Sequence, residues 1–151
     1  MKKLVSALLL VAAGLSGTSA MAQFAKPEDA VKYRQSALFV MQQNFGRVAA
    51  MAQGKAPFDA KVAADSAAVA EYMSKLPWAG FVAGSDKAGN TKAKAEIWSE
   101  QAKFNAAADK MQTEMSKFSA AAKTGSLDNI KAALGGVGGT CKSCHDDFRA
   151  Q

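Results

Sequence analysis

Apolar residues recur at helical spacing through four stretches of this chain. In the first, Val31, Leu38, Met41, Phe45, Val48 and Met51 keep to one helical face. Pro27-Glu28-Asp29 gives that helix its start, with proline in the first turn and two acids at the positive end of the dipole. Gln53-Gly54-Lys55-Ala56-Pro57 ends it. In the second, Asp59 is an N-cap, and Val62, Ser66, Val69, Met73 and Leu76 hold the rhythm up to Pro77. In the third, starting near Ala95, Ile97, Gln101, Phe104, Ala108, Met111, Met115, Phe118 and Ala122 alternate steps of four and three, close to a coiled-coil seam. In the fourth, after a break at Lys123-Thr124-Gly125-Ser126, the pattern runs through Leu127, Ile130, Leu134, Val137, Cys141, Cys144 and Phe148.

Between the second and third stretches, Pro77 to Ala93 holds Gly80, Gly84, Gly89 and Asn90 with no rhythm, and reads as a long loop carrying Trp78 and Phe81. Short joints elsewhere make neighbouring helices antiparallel. The fold class is therefore all-α, an up-down-up-down four-helix bundle. Gly135-Gly136-Val137-Gly138-Gly139 is costly inside a helix, at about 1 kcal/mol per glycine relative to alanine. It marks either a close approach of the backbone to a flat cofactor or neighbouring helix, or a break between two shorter helices.

The N-terminus does not join this pattern. Lys2 and Lys3, the apolar stretch Leu4 to Leu15 and the small-x-small site Ala20-Met21-Ala22 form a secretory signal peptide over residues 1–22. The mature domain is then 23–151, enough chain for a single core. The formal charge is +6 from 19 Lys+Arg and 13 Asp+Glu. Without Lys2 and Lys3 it is 17 against 13, or +4. The lysines are scattered, unlike the clustered stripe of a nucleic-acid binder. No apolar run outside the signal reaches the ~20 residues of a membrane span.

Both cysteines and the single histidine fall in Cys141-Lys142-Ser143-Cys144-His145, a C-x-x-C-H motif of the kind that attaches a c-type haem. Two thiols at this spacing can add to the two vinyl groups of one porphyrin, and the following histidine can ligate its iron. A structural zinc site wants four ligands, and this chain offers three such side chains. A thioredoxin-like pair belongs to a βαβ setting. A plain disulfide leaves His145 without a role. Cofactor and compartment follow together: one covalent haem c, assembled in the periplasm.

With one histidine, two-histidine ligation is ruled out. Met41, Met51, Met73, Met111 and Met115 could supply a sulfur, although methionines in helical seams more often fill cores. Without a protein ligand the iron is five-coordinate and open to small gases.

The motif at the end of a four-helix bundle resembles the class II cytochromes c, specifically the cytochrome c′ family. The resemblance spans nearly the whole mature chain, through Gln23 to Ala30, Tyr33-Arg34-Gln35-Ser36-Ala37-Leu38, Leu76-Pro77-Trp78, Glu96-Ile97-Trp98 and Cys141 to His145. It implies thioethers at Cys141 and Cys144 and a proximal ligand at His145. It implies an Arg149 guanidinium one helical turn on, beside the proximal imidazole, where nitric oxide can displace the histidine. It implies that Arg34, Gln35, Thr91 and Lys92 contact the haem and its propionates, and that Leu38 covers the vacant distal face. Low-spin relatives instead use a first-helix methionine, for which Met41, three residues from Leu38, is the candidate. Family members often pair through first-helix surfaces.

The expectation is a high-spin haem protein that binds NO and CO without turnover, with redox proteins as further partners. The alternative is a low-spin electron-transfer cytochrome ligated by Met41.

Overall fold

The computed structural model describes residues 23–151. The signal segment read at 1–22 lies outside them. Helix α1 spans Pro27–Ala52 and α2 spans Ala60–Met73. A 3-10 turn follows at Pro77–Gly80. A one-turn helix α3 covers Glu96–Ser99, α4 runs Gln101–Lys123 and α5 runs Leu127–Phe148. Among the described residues the only β pairing is an isolated antiparallel bridge between Ala93 and Arg149.

The helix starts follow local chemistry. Pro27 opens α1 with Glu28 and Asp29 in its first turn. The Asp59 carboxylate accepts the Val62 N–H at 2.9 Å, and the Ser126 hydroxyl accepts the Asn129 N–H at 3.3 Å. Helices α1, α2, α4 and α5 make the bundle, packing in the order α1–α2–α4–α5. The α1–α5 seam is the most open of the four.

Two expectations are corrected and one open alternative is decided. The third helix does not run unbroken from Ala95: it breaks at Glu100, whose φ of −116° and ψ of 43° leave the helical region. The break lets Ile97 pack with Phe104 and Phe148 in a second core while α4 follows the main seam. The long loop is not wholly irregular, because Pro77–Gly80 forms a turn of 3-10 helix. Finally, α5 passes through its glycines without a break. A Cβ on Gly136 would lie under 2.5 Å from the Glu114 carboxylate of α4, a close approach to a neighbouring helix. Gly135, Gly138 and Gly139 meet nothing within 4 Å. None of the four lines the cavity described below, and nothing in the structure explains those three.

Two apolar cores hold the molecule. The larger gathers Met41, Val48 and Met51 of α1, alanines of α2, Met111, Met115 and Phe118 of α4, and Ile130 and Val137 of α5. Phe118 is fully buried against Phe45, ring centroids 5.1 Å apart. The smaller core is aromatic. Phe104 meets Phe81 at 4.8 Å, Phe148 at 5.3 Å and Trp78 at 5.7 Å, each edge to face. It seats the long loop on α4 and α5, at the end of the bundle that carries the cysteines.

Candidate haem site

The open α1–α5 seam holds a cavity of about 920 Å³. Leu38, Met41 and Phe45 line its α1 wall, and Cys141, Cys144 and His145 its α5 wall. The helix itself brings the motif together. Positions three and four apart share a face, so the two thiols and the imidazole turn to the same side. The residues fit a haem. Two thiols and an imidazole stand on one wall, the facing wall is mostly apolar with Gln42 among Leu38, Met41 and Phe45, and the charged lining groups are Arg34, Lys92 and Arg149, with no carboxylate. Cationic walls without an acid suit a porphyrin bearing two propionates.

Burial pushes both thiols up from their ordinary pKa; for Cys144, the neighbouring Cys141 and Asp147 add to the rise. They are neutral thiols at neutral pH. The His145 imidazole is pushed down, first by burial and then by the charge of Arg149, with Asp146 opposing. It is therefore neutral at pH 7, the form that offers a lone pair to a metal.

Arg34 sits differently from a surface cation. It is 2 % exposed. Nη1 donates to the Gly80 carbonyl and the Ser85 hydroxyl, both at 2.7 Å. Nη2 donates to the Ser85 carbonyl at 2.8 Å and to Thr91 Oγ1 at 2.7 Å. Its Cζ lies over the Phe81 ring, 4.5 Å from the centroid. Four of its five N–H groups thus hold the long loop, and only Nε–H is left for a cofactor. Burial lowers its pKa against the raising effect of Asp86, yet a guanidinium stays charged. Gln35 donates from Nε2 to the Asn90 carbonyl at 2.7 Å. Lys92 lines the cavity from the same loop.

Leu38 is half-buried and packs against the main core while lining the cavity. Met41 is buried, 7 % exposed, and lines it too. Met111 and Met115 of α4 also reach the cavity, so Met41 is not alone among methionines there. Arg149 is not on the helix: with φ −122° and ψ 126° it leaves α5 in extended conformation, its N–H donating to the His145 carbonyl at 3.1 Å. Its side chain nonetheless lines the cavity with His145.

Sequence reasoning missed Ser85, Gly80 and Phe81 as the frame around Arg34, and Phe39 at the cavity rim, 60 % exposed. A loop serine carries no periodic signal. Phe39 follows Leu38 directly and so falls off the buried face of the α1 pattern.

A covalent-haem motif closing one wall of a four-helix bundle defines a class II type of c cytochrome. The sequence profile of cytochrome c′ matches residues 29–149. Cytochrome c′ of Rubrivivax gelatinosus is 56 % identical over 127 residues, covering 84 % of this chain and 98 % of that protein. Cytochrome c′ of Alcaligenes xylosoxydans xylosoxydans is 47 % identical over the same length and the same shares. The 1.3 Å crystal structure of the Rubrivivax protein superposes with a TM-score of 0.82 at 55 % identity, covering 85 % of this chain and all of that one. A nitric oxide complex of a leucine-to-alanine variant of the Alcaligenes xylosoxidans protein matches with a TM-score of 0.79 at 45 % identity, over 85 % of this chain and 99 % of that one. The chain belongs to the cytochrome c′ family, whose members carry a c-type haem with iron.

Proposed function

We propose that this chain is a periplasmic haem protein that binds nitric oxide and carbon monoxide, buffering or carrying nitric oxide without turnover. One haem c is held through Cys141 and Cys144, with His145 as axial ligand. When bound, that group supplies an iron with one position open to a small gas. The observation that carries the reading is the apolar α1 wall of Leu38, Met41 and Phe45 across the cavity from His145. Dioxygen as a ligand draws negative charge and calls for a hydrogen-bond donor; NO and CO call for one far less. Of the α1 donors that line the cavity, Arg34 is engaged through four N–H groups with Gly80, Ser85 and Thr91, and Gln35 with Asn90, which leaves the Arg34 Nε–H and Gln42. The nitric oxide complex of the Alcaligenes xylosoxidans relative supports the same reading.

Export follows from Lys2, Lys3 and the Ala20-Met21-Ala22 site. Among the described residues no helix is long and apolar enough to cross a membrane. A redox protein is a second partner class. Pairing of two copies through α1 is supported by Phe39 and Val40, 60 % and 36 % exposed.

Electron transfer with Met41 as sixth ligand is the second reading, supported by Met41 lining the cavity. The absorption spectrum of the purified protein decides between the two. A high-spin ferrous Soret band that shifts on adding NO or CO is the expected result. A low-spin spectrum with a methionine-to-iron charge-transfer band, unresponsive to CO, overturns it. Substantial peroxidase turnover by pure protein would overturn the non-enzymatic part.

A further inference from the structure

Residues 91–94 cross from the α1 side of the cavity to its α5 side. At one end Thr91 Oγ1 accepts from Arg34 Nη2 at 2.7 Å and from the Ala93 N–H at 3.1 Å. At the other, Ala93 and Arg149 form the antiparallel bridge. There the Lys94 N–H donates to the Phe148 carbonyl at 3.0 Å, and the Ala150 N–H to the Lys92 carbonyl at 2.8 Å. Lys94 adds a second hold. Its ammonium donates to the carbonyls of Asp146 at 2.9 Å and Asp147 at 3.1 Å.

Those carbonyls lie in the last turn of α5, where helical partners run out and a cation is favoured. They follow His145 by one and two residues. Arg149, four residues on, has left the helix, and among the described residues its guanidinium makes no hydrogen bond or ion pair of its own. Its place on the cavity wall beside His145 therefore rests on the backbone that carries it. That backbone is held by the bridge and by Lys94.

We propose that Lys94 is a positioning residue of the haem site: its ammonium clasps the C-terminal turn of α5 and keeps Arg149 beside His145. The proposal rests on the reading of His145 as the axial ligand. A cation next to that ligand favours the less positive, reduced iron, because the Coulomb energy rises with the charge it faces. Arg149 thus supports the reduction potential, and Lys94 does so through Arg149.

The test is a double-mutant cycle on the haem-loaded protein, read by potentiometry and by amide hydrogen exchange. Lys94→Met keeps most of the side-chain stem and removes the donor. The expected result is a lowered reduction potential and exchange at the Arg149 and Ala150 amides faster by about tenfold. In an Arg149→Met background, the same Lys94→Met change should move the potential by less than half as much. Lys142→Met removes a cation paired with Asp146 on the exposed face of α5 and should leave exchange unchanged. An equal potential shift in both backgrounds overturns the proposal, since Lys94 would then act only as a charge. Unchanged exchange in Lys94→Met overturns it as well. Failure of the haem reading is told apart by mass: the wild-type chain would then carry no covalent porphyrin.

Discussion

Arg34 and Ser85, 51 residues apart, are joined by two hydrogen bonds, from Nη1 to the Ser85 hydroxyl at 2.7 Å and from Nη2 to its carbonyl at 2.8 Å. Ser85 is fully buried and Arg34 nearly so. A loop of little intrinsic preference is thereby folded around a guanidinium on α1, and Thr91, two residues before the Ala93–Arg149 bridge, is held by the same group.

Removing that group should loosen the whole loop. Arg34→Met leaves buried carbonyls and hydroxyls without donors, at a cost of about 2–4 kcal/mol by urea denaturation. Arg34→Lys should not restore stability, because one ammonium cannot reach four acceptors set in a plane. Wild-type stability in Arg34→Lys would show that charge alone suffices.

Gly80 tests the same frame from the other side. A Cβ there would come within 2.7 Å of the Ala30 carbonyl oxygen and 2.8 Å of Arg34 Cβ. One neighbour is α1 backbone, so it cannot swing aside. Gly80→Ala should destabilise by about 1–3 kcal/mol, whereas Gly138→Ala, which meets nothing within 4 Å, should stabilise the exposed helix by up to about 1 kcal/mol. Thermal melts of the pair give the contrast; equal melting points would refute it.

Leu38 covers the cavity from α1 without a polar atom. Leu38→Ala should open that side and raise CO affinity. An unchanged CO dissociation constant, from a titration followed in the Soret band, would remove Leu38 as the gate.

The Glu71 carboxylate on α2 accepts from the Ser116 hydroxyl of α4 at 2.5 Å. Its pKa is lowered, first by that bond, against burial, with Lys123 at 3.9 Å adding to the effect. A carboxyl lowered in the fold stabilises the native state above its unfolded pKa, and that contribution is lost as pH falls through the folded value. Stability should therefore drop through the acid range, and Glu71→Gln should flatten that limb while changing little of its shape near neutrality. Parallel acid limbs in both proteins would count against the linkage.

Cys144→Ala leaves one thiol facing the cavity, so intact-mass analysis should show haem held by at most a single thioether, with reduced retention. His145→Ala should block maturation of the haem-loaded form.

The bundle was legible in the chain because helical periodicity is a local property, and the spacings from Val31 to Met51 and Leu127 to Phe148 fall on buried faces. The haem motif was legible for the same reason: three chemically specific residues lie within one helical turn and a half. The break at Glu100 was not, since Ile97 continues the apolar rhythm and only its packing on Phe104 and Phe148 sets it apart.

By itself, then, the sequence determined the helices and the C-x-x-C-H motif that sets two thiols and an imidazole on one helix, because each depends on neighbours a few positions away. Tertiary structure alone decided what surrounds them. Arg34 is committed to Gly80, Ser85 and Thr91, Met111 and Met115 share the cavity with Met41, and Lys94 grips the end of α5. Those relationships join residues separated by tens of positions through a loop with no periodic pattern. Their geometry exists only once the two cores have packed and brought α1, the loop and α5 together.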